Sequence, residues 1–170
     1  MVQSHNKGAG GELEVRDLLQ DWWAQAEPKT RFNRAPLSGG WHAASDQQTA
    51  GDLLVTPGSR FPWSVEVKRR ESWSPSRFIV GSASPAWAWW QQAIRDARTI
   101  DRQPMLWARR SKGNWIVVVP LEQVSSIVGA PVPRFHWNVR HIVMQHGVEV
   151  VPVGYWAADV LGSVPSIWIP

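Results

Sequence analysis

In WSVEVK, residues 63–68, strand alternation puts Ser64, Glu66 and Lys68 on one face and Trp63, Val65 and Val67 on the other. An acid and a lysine spaced this way are ordinarily the solvated face of an edge strand. Yet Asp52 opens another apolar run, LLV, earlier in the chain. With Asp52 at the start of one strand and Glu66 in the middle of its neighbour, both carboxylates converge at one end of a sheet, with Lys68 beside them. A third acid, Glu12, heads the apolar stripe of a helix that can pack there. Three carboxylates with water are the hard-oxygen set that Mg²⁺ prefers. An ammonium beside them can position an attacking water or hold a non-bridging phosphate oxygen. That is the equipment of metal-assisted phosphodiester hydrolysis, and a bound cation would explain why acids that repel one another cluster.

The elements must hold these groups in place. GGELEVRDLLQDWWAQA, residues 10–26, reads as an amphipathic helix with Val15, Leu19, Trp22 and Ala26 on one stripe. One turn back, the stripe reaches Glu12, whereas Glu14 falls with Asp17 and Asp21 on the polar side. An unpartnered carboxylate on the buried face is costly, so Glu12 calls for a reason and Glu14 does not. TRFNRAP is a short strand, and LSGGWHAASDQQTA a polar loop. LLVT, the turn PGSRFP and WSVEVKR form an expected antiparallel hairpin. ESWSPSRFIVGSASP carries Ser and Pro breakers and reads as an irregular insertion. Residues 85–100 form a second helix with Trp87, Trp90, Ile94 and Ala97 on its stripe. PMLWARR, the turn SKGN and WIVVVP make another hairpin. The tail from about Leu121 mixes strand-like runs with a possible short helix, YWAADVLG. The expected fold is α/β: a central mixed sheet flanked by helices, in the order α-β-β-β-α-β-β plus a small C-terminal appendage.

With 170 residues the chain forms one domain, 1–170, with a core over about 7–119 and an appendage over 120–170. The absence of cysteine excludes disulfides and thiolate metal sites and fits a reducing compartment. The N-terminus lacks the apolar core of a signal peptide, and runs such as WIVVVPL are too short to span a bilayer, so a cytoplasmic protein with no membrane partner is expected. The net charge is +4 and fourteen of the eighteen cations are Arg, whose planar fork suits phosphate. Lys and Arg crowd the middle of the chain and are absent after Arg140, which suggests a polyanionic partner. Thirteen Trp could serve as core, partner surface or base-stacking groups.

The pattern G-D-(x)13-E-x-K behind a helical Glu resembles the PD-(D/E)xK nuclease superfamily. KGAGGELEVRDLL is similar to the opening helix of archaeal-type Holliday junction resolvases, phage-encoded relatives included, and GDLLV and SVEVK to their two metal-binding strands. The similarity spans roughly residues 7–119 and implies a restriction-endonuclease-like core. It implies that Glu12, Asp52 and Glu66 are metal ligands with the Val67 carbonyl beside them, that Lys68 is the catalytic lysine, and that Ser38 lies near the scissile phosphate. The implied cofactor is Mg²⁺, with Mn²⁺ able to substitute. Gly51 stands where the motif has Pro.

The resulting expectation is a homodimeric endonuclease that resolves four-way DNA junctions by paired nicks, in the host cytoplasm if viral. The alternatives are a nuclease of this fold acting on other DNA, as in restriction or repair, and a DNA-binding module without activity. Lys7, Arg31, Arg34, Arg69, Arg70 and Arg77 flank the site in sequence and are expected to include phosphate contacts. Gln91 or Gln92 could reach a phosphate or the water, and His42 could touch DNA. His136, His141 and His146 recur every five residues, which fits neither a helix face nor a strand face.

Overall fold

The computed structural model describes residues 2–35, 50–79, 83–123, 143–145, 148–150 and 152–162. The polar loop with Ser38 and His42, and the three later histidines, lie outside the described residues. Helix α1 (Val2–Trp23) buries Val15, Leu19, Trp22 and Trp23. Its stripe therefore has the phase that its spacing implies. Strand β1 (Phe32–Arg34) follows and pairs antiparallel with β2 (Leu53–Val55).

The main sheet has four strands. Strand β3 (Trp63–Arg69) lies at its edge, parallel to β4 (Gln103–Arg109). Antiparallel to β4 runs β5 (Ile116–Pro120), through the expected turn SKGN, residues 111–114. Two short helices or helical turns flank this connection pattern: α2 (Pro75–Ile79) within the expected insertion, and a 3₁₀ turn at Leu121–Gln123. Helix α3 (Pro85–Thr99) makes the crossover between the parallel strands β3 and β4 that such a pair requires. Ser84 starts it, its side chain accepting from the Ala86 N–H, with Pro85 in the first turn where a missing N–H costs nothing. Strands β6 (Val143–Gln145) and β7 (Val148–Val150) form a separate two-stranded ladder.

Two expectations change. The LLVT and WSVEVKR runs do not form a hairpin ladder: β2 takes β1 as its partner, and β3 is met instead by Asp52, just before β2, whose N–H donates to the Val65 carbonyl at 2.8 Å. The turn explains it. Pro57 and Pro62 bracket a connection in which Gly58 has φ 81°, and Phe61 swings into the core edge-on to Phe32, at 4.8 Å between ring centroids. That contact draws β2 toward β1. The second change concerns the tail. Strand β8 (Pro152–Trp156) pairs antiparallel with β5 as the fourth strand of the main sheet, and α4 (Ala157–Leu161) buries Ala157 and Val160 in the core. Part of the expected appendage thus belongs to the central layer.

The alternation of β3 and β4 divides the core. Trp63, Val65, Val67, Met105 and Trp107 face α1, whereas Leu106 and Ala108 face α3. Seven tryptophans (22, 23, 63, 73, 90, 107 and 115) are buried, so most of the Trp content among the described residues is core and not a stacking surface. Trp22, Trp23, Phe61 and Trp63 pack as tilted and edge-to-face pairs under α1.

Candidate active site at the free edge of β3

Glu66 and Lys68 lie on the face of β3 opposite Trp63, Val65 and Val67, in register with Leu106 and Ala108, and so on the α3 side. Because β3 is an edge strand, its outer backbone groups are free to receive Asp52. The Asp52 N–H donates to the Val65 carbonyl, and Asp52 Oδ2 accepts from the Val67 N–H at 2.7 Å. A residue's N–H and C=O point to the same edge of a strand, so the Val67 carbonyl also faces this margin. Gly51 makes the close approach possible. Its φ is 85°, and a Cβ there would sit 2.7 Å from the Val65 carbonyl oxygen. Proline, held near φ −65°, could not adopt that backbone, which accounts for the departure from the motif.

Glu12, Asp52 and Glu66 are all buried, at 7%, 8% and 2% exposure. Glu12 ion-pairs with Arg34 on β1, and Lys68 with Glu66. Burial pushes the Asp52 carboxyl up from its ordinary value; the Val67 N–H and Lys68 pull it back, and Glu12 and Asp96 push it further up. Burial also raises Glu66, reinforced by the Asp52 charge and opposed by Lys68, with Asp96 adding to the rise. Two desolvated acids thus repel each other across the strand edge beside one lysine.

Glu14 has a different task. It accepts from Trp115 Nε1 at 2.9 Å and ion-pairs with Arg109, whose guanidinium lies 4.5 Å from the Trp115 ring centroid. It fastens α1 to β4 and β5. The residues expected at DNA are dispersed. Arg70 and Arg77 are exposed, and Arg69 is half-buried against Gly10 and Gly11 of α1, reaching the Ser111 carbonyl at 3.4 Å. Arg31, also exposed, donates to the Pro28 and Thr30 carbonyls. The Lys7 side chain lies outside the described residues. Gln91 is exposed, while Gln92 is half-buried and donates to Asp96 at 3.5 Å.

Sequence reasoning missed two participants. Asp96 stands one helical turn beyond Gln92, beside the buried stripe of α3, and its charge acts on both Asp52 and Glu66. That four-residue spacing was the available signal. Arg34 was read only as a DNA contact, and nothing local in FNRAP announces Glu12 as its partner. A cleft of 440 Å³ opens between β2 and the first half of β3, lined by Leu54, Thr56, Ser64 and Arg102 among others. Neither Glu66 nor Lys68 is among the residues that line it.

The model of the family described as "Phage putative PDDEXK endonuclease" matches residues 3–153. The chain belongs to that family. Over 122 residues, 69% of this chain and 71% of the other, it is 27% identical to Protein D14 of Escherichia phage T5. No solved structure matches it. As a member of the PDDEXK endonuclease family the chain is a nuclease, of a class that uses divalent metal ions and acts on DNA. Among the described residues, no helix is long and apolar enough to cross a membrane.

The PDDEXK family implies a divalent ion, and the donors fit it in kind: buried carboxylates whose mutual repulsion a cation would relieve. They are not drawn together around one point. Among the described residues, no group of three or more Asp, Glu, His or Cys is placed to hold a metal ion. The reason lies in the partners. Glu12 is turned onto Arg34 and Glu66 onto Lys68, so cations of the chain itself occupy two of the three acids.

Proposed function

We propose that this nuclease is a Mg²⁺-dependent endonuclease that hydrolyses DNA phosphodiesters and resolves four-way junctions as a homodimer. The observation that carries the chemistry is the pair of buried, mutually repelling acids, Asp52 and Glu66, at the β3 edge beside Lys68. Glu12, Asp52 and Glu66, with the Val67 carbonyl, would hold Mg²⁺, or Mn²⁺ in its place. The ion supplies charge stabilisation at the scissile phosphate and lowers the pKa of a bound water.

The chain's own residues do the rest. Asp52 is locked to β3 by the Val65 carbonyl and Val67 N–H, so its carboxylate keeps a set position during turnover. Lys68, restrained by Glu66, presents an ammonium that can hold a non-bridging phosphate oxygen or orient the attacking water. Ser38 would stand beside the scissile phosphate. Lys7, Arg31, Arg34, Arg69, Arg70 and Arg77 would supply phosphate contacts, and affinity should then fall steeply as salt rises.

The junction reading rests on the likeness of KGAGGELEVRDLL, GDLLV and SVEVK to the resolvases. Paired nicks on a two-fold junction require two sites, hence a C₂ dimer. The tail after Arg140, which carries no Lys or Arg, offers a candidate interface; β8 and α4 within it bury residues in the core, which leaves its other residues for a partner. The test is cleavage of labelled four-way junction and linear duplex, with Mg²⁺ and with EDTA, alongside light scattering. Dimers that nick junctions symmetrically in preference to duplex are expected. A strict monomer that cuts both alike eliminates the resolvase reading and leaves a nuclease for other DNA, of restriction or repair type.

A further inference from the structure

Among the described residues, Glu12 and Arg34 form an ion pair with unequal surroundings. The Glu12 side chain is 9% exposed and that of Arg34 35%. The bond to Glu12 uses Arg34 Nε, one of the five N–H donors of the planar guanidinium fork. The Arg34 backbone is fixed: it sits opposite Leu53 in the β1–β2 ladder, and the next residue, Ala35, donates its N–H to the Asp52 carbonyl at 2.9 Å. Arg34 is therefore held one residue from the Asp52 rung, half in solvent, with its charge spent on a buried acid.

Resting on the reading of Glu12 as a metal ligand, we propose that Arg34 and the divalent ion compete for the Glu12 carboxylate, and that the displaced Arg34 then grips a phosphate of the bound DNA. A guanidinium and a divalent cation on one small carboxylate repel each other, so arrival of one weakens the hold of the other. The exchange accounts for the placement of the acids, which are partnered by the chain's own cations and not gathered around a point. Released beside the Asp52 rung, the fork has the charge and planar donors that match a phosphate in two bonds. Arg34 is thus a positioning residue for Glu12 in the ion-free protein and a DNA contact in the loaded one.

Calorimetry with Ca²⁺, at fixed pH and without DNA, reads the competition directly. Arg34→Ala should bind Ca²⁺ about ten-fold more tightly than wild type, equivalent to about 1.4 kcal/mol, and Arg34→Lys should return toward wild type. Fluorescence anisotropy with a labelled duplex reads the second half. Arg34→Ala should match wild type in EDTA, where Glu12 holds Arg34, and bind several-fold more weakly in Ca²⁺. If Arg34→Ala does not fold, Arg34→Gln, which removes the charge and keeps the stem, carries both measurements. Unchanged or weakened Ca²⁺ affinity in the charge-removing variant overturns the competition, and an equal DNA defect with and without Ca²⁺ overturns the hand-over. Glu12→Gln that binds Ca²⁺ as wild type does would overturn the metal reading of Glu12 itself, which is a separate failure.

Discussion

Glu27, half-buried, and the buried pair Asp52 and Glu66 are carboxylates that the fold pulls in opposite directions. Glu27, just past α1, accepts from Trp23 Nε1 at 3.0 Å, Thr30 Oγ1 at 2.6 Å, Ser59 Oγ at 2.7 Å and the Arg60 N–H at 3.2 Å. Burial pushes its carboxyl up, but the bonds from Thr30, Trp23 and Ser59 and the Arg60 N–H outweigh it and hold it at about 2. Asp52 and Glu66 receive less and repel each other, so burial wins and both rise. Glu27 is a carboxylate whose charge the fold has solvated with its own donors, tying α1 to the β2–β3 connection. Asp52 and Glu66 are charges the fold has left under-compensated, at a cost to stability, where a cation and a phosphate can use them.

The comparison breaks most sharply under charge removal. Asp52→Asn or Glu66→Gln should reduce cleavage by about three orders of magnitude or more, as removal of an essential catalytic group does, with DNA affinity nearly intact. In EDTA at pH 8, Asp52→Asn should be as stable as wild type or more stable by about 1 kcal/mol. The sign follows from the raised carboxyl. Its ionisation opposes folding, and this cost is absent at acid pH and grows as pH rises through the folded value. Cleavage assays and thermal melts check the two halves; retained Mg²⁺-dependent cutting in either variant would remove these residues from the site.

Next in size is the contrast along α1. Glu12→Gln should lose activity by about two orders of magnitude or more, on the scale of a lost transition-state contact. Glu14→Gln should cleave nearly as wild type but melt lower, by roughly 1 kcal/mol, because it loosens the clasp with Arg109 and Trp115. The reverse order of activities would show that the acid delivered to the site has been misassigned.

Glu27→Gln should do what the active-site variants do not: leave activity per folded molecule unchanged and lower stability at neutral pH by about 2–3 kcal/mol. For a depressed carboxyl the stabilisation is fully present above the ordinary value and is lost as pH falls from there toward about 2. The wild-type minus Glu27→Gln difference should therefore shrink with acidification between about pH 5 and 2, opposite in slope to that for Asp52→Asn. Urea melts across that range decide it; a pH-independent difference would mean that Glu27 acts through packing alone.

Much of this was legible locally. Alternation separates Glu66 and Lys68 from the core side of β3, and helical spacing separates Glu12 from Glu14. The β4–β5 turn at SKGN and the Ser84–Pro85 helix start are written in adjacent residues. What escaped is long-range. The partners of Glu27 include Ser59 and Arg60, more than thirty positions away. Strand β8 reaches β5 across thirty-one intervening residues, from 121 to 151, and nothing in PVGYW names its neighbour. The partner of β2 was misread because an apolar run next to a turn suggests a hairpin, whereas the Phe32–Phe61 contact that overrides it joins residues far apart. The Glu12–Arg34 pair, 22 residues apart, escaped for the same reason.

The smallest expected effect tests how far the under-compensated cluster extends. Asp96 reaches Asp52 and Glu66 only through its charge: it is the last of the influences on each, and it is half-buried on α3 with Gln92 bonded to it. Solvent screening should leave the repulsion weak, so Asp96→Asn should raise stability in EDTA by only about 0.3–0.5 kcal/mol, or about 1–2 °C in melting temperature for a domain of this size. Unlike Glu27, it has a single side-chain donor among the described residues, Gln92, which an Asn carbonyl can still satisfy. Addition of Mg²⁺ should erase the gain, because a bound cation offsets the same repulsion that the substitution removes. Paired melts of wild type and Asp96→Asn in EDTA and in Mg²⁺ give the answer. A loss of more than about 1 kcal/mol in EDTA would put Asp96 in the class of Glu27, a carboxylate kept for its bonds, and would confine the repelling set to Glu12, Asp52 and Glu66.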